Sequence, residues 1–396
     1  MKKAAFFQAL IILVLLGVSW VLIILKFKGK EETQGNEGSR IDTQETQPSE
    51  EPDTFDNEVT QAMEEELMPN PPEAWSEWVN YIRSQPNAAL RRQAIEELRV
   101  SLSGISNDEL VARLIQFLDS AYDFPTGLRF QTAKAGTLAG ASSFRAMVLD
   151  WLGQLDPQAA AQLAMKDLGS AGTGMHPDEF VIHLRNYAWG TPADSNSSFL
   201  RQHFNLLVDQ QDWFSNPTAS IGEAMDIAVY LQDTSLVPEL ASIAQPGQNN
   251  NLRHAANLAL ERLFEIDPTG AAAEILQSTQ GLDLDGRNRA SLLARLDPAT
   301  AEAKELIESY ILSPGVTPAE FELFIQYLPN LNISYSYNLL SPEKPITQSI
   351  HHTERLRNAL DMIEAWQNDP RFSQHVDLLS ERIETMTVQL YGNPGP

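Results

Sequence analysis

The chain has 396 residues, is 43% apolar and carries a formal charge of −25. That is enough apolar content for a sizeable core, and the charge is wrong for a reader of phosphate backbones, which needs clustered Lys and Arg; no nucleic-acid partner is expected. With no cysteine anywhere, disulfides, thiolate nucleophiles and cysteine-held zinc or iron–sulfur centres are excluded.

The charge is uneven along the chain. Residues 1–30 hold five lysines and no acid, residues 31–70 hold thirteen acids against Arg40, and −18 remains on residues 71–396. Residues 4–25 form an apolar run broken only by Gln8, Gly17 and Ser19. As a helix this run would be about 33 Å long, against a hydrocarbon core of about 30 Å. A cleaved signal peptide would need small residues at the end of a shorter run, whereas Gly17-Val18-Ser19 is followed by Trp20 and further apolar residues. The expectation is a transmembrane anchor over residues 1–30, with residues 4–25 in the bilayer. Lysines flank both ends, so the positive-inside rule gives a tie. The missing cysteines tip the reading toward the inner membrane, with the N-terminus cytoplasmic and the body extracytoplasmic, in a periplasm.

Residues 31–70 form an acidic linker, disordered and extended by self-repulsion. Phe55, Val59, Met63 and Leu67 recur every four residues, predicting a short amphipathic helix at 55–68.

From residue 71 to 391 the apolar spacing is helical almost throughout. Leu90, Ala94, Ile95, Leu98 and Leu102 share one stripe, and Leu252, Ala255, Ala256, Ala259, Leu263 and Phe264 another. A third comprises Ala303, Leu306, Ile307, Tyr310 and Ile311. Between such stripes an Asp-Pro pair recurs, in LDPQAAAQLA at 155–164, IDPTGAAAEIL at 266–276 and LDPATAEAKEL at 296–306, and again at Asp369-Pro370. Proline stops the preceding helix and suits the first position of the next, while the aspartate accepts a hydrogen bond from an orphan N–H. Asp156, Asp267, Asp297 and Asp369 are therefore expected as helix caps at the joints of helical hairpins, not as catalytic carboxylates. Phe372, Val376, Leu379, Ile383, Met386 and Leu390 follow a 4-3-4-3-4 spacing, predicting a terminal capping helix. Residues 392–396 are a tail.

Hairpins joined in this way resemble the broad HEAT-like class of helical repeats over residues 71–391. The resemblance is architectural, since the joints are irregularly spaced and neither a tetratricopeptide nor an ankyrin signature is present. It implies an all-α fold, a right-handed α-solenoid that binds protein on one of its faces, and it carries over no catalytic residue.

Few residues suggest chemistry. The glycines of GSAGTGMHPDEF at 169–180 lack the Lys-Ser/Thr ending of a phosphate loop. His176, Glu179 and His183 have spacings that would place zinc-ligand types on one helix face, although Pro177 begins the helix after His176. They define the alternative function, a metal-dependent envelope hydrolase. His351-His352 reads as a helix start, and Glu308-Ser309 lacks the loop of a lytic transglycosylase. Around 333–339, Ile333, Tyr335, Tyr337 and Leu339 alternate with polar residues, giving the candidate protein-contact segment. The expected function is a membrane-anchored scaffold or adaptor for a neutral or basic protein, without metal, cofactor or small-molecule substrate.

Overall fold

The computed structural model describes residues 73–170, 174–282, 284–332, 339–341 and 352–392. All of these belong to one compact unit, and they are almost entirely helical. The anchor over 4–25, the linker over 31–70 with its helix at 55–68, and the tail over 393–396 lie outside them. Among the described residues no helix is long and apolar enough to cross a membrane.

Helices α1 (Glu73–Arg83), α2 (Ala88–Leu102) and α3 (Asn107–Asp119) open the body. Asn87 and Ser106 cap α2 and α3, each side chain accepting an N–H of the first turn. The chain then leaves helical structure for a small antiparallel ribbon of β1 (Gln131–Thr132) and β2 (Leu138–Gly140). Its turn contains Ala135 at φ 55° and Gly136 at φ 74°. Helix α4 (Phe144–Leu155), capped by Ser143, follows, and then α5 (Pro157–Ser170) and α6 (Pro177–Gly190). At Gly190 a Cβ would collide with the Pro157 carbonyl, so the absent side chain is what lets the end of α6 meet the start of α5.

Helix α7 (Ala193–Val208) leads into four short helices, α8 (Gln211–Ser215), α9 (Ala219–Ala224), α10 (Asp226–Leu231) and α11 (Val237–Ile243). The second half holds α12 (Asn250–Ile266), α13 (Pro268–Gln277), α14 (Thr279–Leu282), α15 (Gly286–Leu293), α16 (Ala301–Ile311) and α17 (Pro318–Tyr327). Helices α18 (His352–Gln367) and α19 (Val376–Tyr391) close the chain. The closest packing is between helices one to three places apart in chain order, such as α5 with α6, α15 with α17 and α18 with α19. One continuous apolar core runs through them.

The predicted stripes account for much of that core. All six residues of the 252–264 stripe are buried, as are Ala303, Ile307, Tyr310 and Ile311. In α2, Ala94, Ile95 and Leu98 are buried, but Leu90, in the first turn, is 39% exposed. Helix α19 packs onto α17 and α18 with Leu379 and Met386 buried, and Phe372, in the turn before α19, lies against Phe321 and Trp366.

The joints divide into two kinds. Asp156 and Asp267 adopt nearly the same backbone conformation, φ −141°, ψ 86° and φ −137°, ψ 81°. Each donates its N–H to the carbonyl four residues back and accepts at its side chain from the N–H three residues ahead, that of Ala159 or Gly270. Both end one helix and cap the next, as expected. Asp297 does not: α16 starts later and is capped by Thr300. Asp297 instead closes a tight turn by accepting from Ala299 N–H, and it also receives the Asn358 amide. Asp369 caps a 3₁₀ turn over Pro370–His375, accepting from Arg371 N–H, and α19 begins only after that turn.

Candidate functional site

A recess able to take a small ligand lies where the C-terminal end of α2, the loop after it, the first turns of α3 and the last turns of α4 meet. Its volume is about 350 Å³. Leu110, Leu114 and Trp151 are buried beneath it, Leu102, Ile105 and Leu155 form half-buried walls, and Arg99, Ser103, Asn107 and Gln154 supply the polar rim. A second recess of similar size is lined by Lys304, Glu305, Glu308, Ser309 and Leu312 along α16 and its C-cap, and its Glu308 is already engaged by Arg371 at 3.0 Å and Trp366 Nε1 at 3.3 Å.

A chain of polar contacts runs inward from the first recess. Arg99 Nη2 donates to Gln154 Oε1 (2.9 Å), and Gln154 Nε2 donates to Asp150 Oδ2 (2.7 Å). Asp150 Oδ1 meets Arg185 Nη1 at 2.6 Å, with both side chains fully buried. Arg185 also donates to the Gly136 carbonyl and to Asn186 Oδ1, and stacks over Trp189 at 4.1 Å. Asp150 accepts Leu138 N–H, so the pair holds the turn of the β-ribbon and the start of β2. Burial pushes the Asp150 carboxyl up and the Arg185 guanidinium down, while each partner's charge and hydrogen bonds pull it back. The short contact and the filled hydrogen-bond sites are those of an ionised pair.

The three candidate metal ligands do not converge. His176 is the N-cap of α6: its Nδ1 accepts Asp178 N–H at 3.2 Å and its ring is exposed. Glu179 is turned toward Arg145 (Nε to Oε2, 3.2 Å) and Ser143, its carboxyl raised by burial and pulled back by Arg145. His183 is fully buried, and neither ring nitrogen makes a hydrogen bond; Asp167 Oδ2 lies 3.5 Å from Nε2. Burial, with a smaller push from Arg145, lowers its pKa to about 3, so the imidazole is neutral. Among the described residues no group of three or more His, Asp or Glu is placed to hold a metal ion. The helical spacing did bring Glu179 and His183 onto one helix, but Glu179 is engaged by Arg145 while His183 is buried with no hydrogen bond to its ring.

The candidate contact segment is only partly within view. Ile333, Tyr335 and Tyr337 lie outside the described residues. Leu339 is wholly buried, and the N–H groups of Leu340 and Ser341 both donate to Asp226 Oδ2 at 2.7 Å. Leu339 is therefore a core residue and not part of an exposed contact face, because α10 presents a buried carboxylate that holds this stretch of backbone down. The recess itself was missed by sequence reading. Arg99 and Gln154 are 55 residues apart on ordinary amphipathic helices, and nothing local marks them as neighbours.

The chain matches no known family, no curated protein and no solved structure.

Proposed function

We propose that this protein is a membrane-anchored helical-repeat scaffold or adaptor that binds another protein in the cell envelope. The observation that carries the proposal is the order of parts: an apolar run long enough to span a bilayer, a strongly acidic stretch, then an all-helical body. Packing between near neighbours in chain order supports reading the body as a right-handed α-solenoid, whose stacked hairpins leave extended faces for protein contact. The net charge of −18 on residues 71–396 favours a neutral or basic partner. The buried carboxylates bind arginines, hydroxyl groups or backbone N–H groups within the body, which supports a structural use for them. The metal-hydrolase alternative gains no support from the places taken by His176, Glu179 and His183.

In this reading the N-terminus is cytoplasmic and the body lies outside the inner membrane. Because the chain has no cysteine, Ser39→Cys creates its only thiol. A membrane-impermeant thiol reagent should label it in intact spheroplasts; labelling only after lysis reverses the topology. Photo-crosslinkers at the exposed Val100, Met165 and Leu206 (62%, 52% and 43% exposed) should trap one recurrent protein in cells. Failure of every exposed position to trap any protein removes the scaffold reading.

A further inference from the structure

We infer that the recess between α2, α3 and α4 binds a small amphiphile with one apolar tail and one carboxylate, the carboxylate held by Arg99. The inference stands apart from the scaffold reading and does not require it. Size comes first. At about 350 Å³ the recess falls at the small end of the range of small-ligand sites. A ligand with a single alkyl chain of medium length suits a hollow of this class.

Chemistry then selects the head group. Among the described residues Arg99 is the only ionic side chain of the lining, on a body that is otherwise strongly acidic. Among the described residues it makes no ion pair, and its one hydrogen bond leaves from Nη2 toward Gln154. The guanidinium carries five donors in a planar fork that suits a carboxylate. Gln154 fixes the fork from behind and is itself fixed by Asp150, whose position is set by Arg185. The cation is therefore oriented at the mouth of an apolar hollow floored by Leu110, Leu114 and Trp151. Among the described residues no carboxylate lines the hollow to repel an anion.

The test uses the full chain in lipid nanodiscs, titrated with decanoate labelled with ¹³C at the carboxyl, empty nanodiscs giving the partition background. The expected result is saturable binding of one decanoate per chain above that background. Decanamide, which lacks the charge, should bind about tenfold more weakly, and Arg99→Gln should weaken decanoate to the same degree, the usual scale of a charged hydrogen bond. Ile105→Trp, filling the hollow, should abolish binding. Arg99 is exposed, so Arg99→Gln keeps the test valid if the tryptophan variant fails to fold. Binding no greater than in empty nanodiscs, or equal in wild type and Arg99→Gln, overturns the inference. So does unchanged binding to a folded Ile105→Trp protein.

Discussion

Arg185 Nη1 lies 2.6 Å from Asp150 Oδ1, with neither side chain exposed to solvent. Removing one member leaves the other charge buried and unpaired, which costs about 3–5 kcal/mol. Arg185→Met should therefore lower the urea midpoint sharply, and Asp150→Ala should do the same while also stranding Leu138 N–H. The combined Asp150→Leu/Arg185→Met protein should be less destabilised than the sum of the two singles. Strict additivity would mean that the two groups do not act as a pair.

His183 supplies a pH dependence whose sign can be worked out. Its folded pKa is lowered to about 3 from 6.5 by burial, so below pH 6.5 the unfolded chain takes up a proton that the folded chain refuses. Stability is present in full above pH 6.5 and is lost as pH falls toward 3, at up to about 1.4 kcal/mol per pH unit. The carboxyls of Asp123, Asp167 and Glu179, raised chiefly by burial, act in the opposite sense, so a comparison of proteins is the clean measurement. His183→Leu, which loses no hydrogen bond, should differ from wild type by less than about 1.5 kcal/mol at pH 8. The variant should become progressively the more stable of the two between pH 6.5 and 4. Parallel stability curves would show that the imidazole titrates in the fold.

The two kinds of joint should also separate by mutation. Asp156→Ala and Asp267→Ala each remove a cap bond to the third residue ahead and should cost about 1 kcal/mol. Asp297→Ala opens a turn and frees Asn358, so the helix content of α16, capped by Thr300, should not change. Thr300→Ala should reduce it. Circular dichroism with thermal melts distinguishes these outcomes.

This division marks what could be read from the sequence. Proline after aspartate dictates that a helix cannot continue, and that much held at all four positions. Whether the aspartate also starts the next helix depends on how far the chain must travel before meeting its packing partner, which is a tertiary matter. The burial of Ala255, Ala259 and Leu263 follows from spacing alone, whereas Leu90 fits the same spacing and is 39% exposed, since a stripe does not say where along the helix its neighbours end. Leu339 was misplaced for a similar reason. Its alternating neighbours suggest an exposed strand-like face, and only the buried Asp226, over a hundred residues earlier, explains why it is pinned inward. The histidines at 176 and 183 have ligand spacing, but a cap and a buried apolar setting use them first.

A second buried cluster gives an alkaline counterpart to His183. Glu320 receives Arg289 through two bonds of 2.7 Å and Tyr310 Oη at 2.7 Å. Glu320→Gln removes the charge facing the buried Arg289 and should cost about 3–5 kcal/mol, while Tyr310→Phe, which leaves the bidentate pair whole, should cost about 1–2 kcal/mol. Burial first, and then the Glu320 carboxylate, push the Tyr310 hydroxyl well above its ordinary value of 10. Above pH 10 the unfolded chain gives up a proton that the folded chain keeps. The stability this group contributes is thus complete below pH 10 and falls as pH rises beyond it. Tyr310→Phe, with no proton to hold, should lose less stability than wild type between pH 10 and 11.5, so the gap between the two proteins should narrow in urea titrations across that range. A constant gap would mean that the hydroxyl ionises as easily inside the fold as outside, contradicting its hydrogen bond to a buried carboxylate.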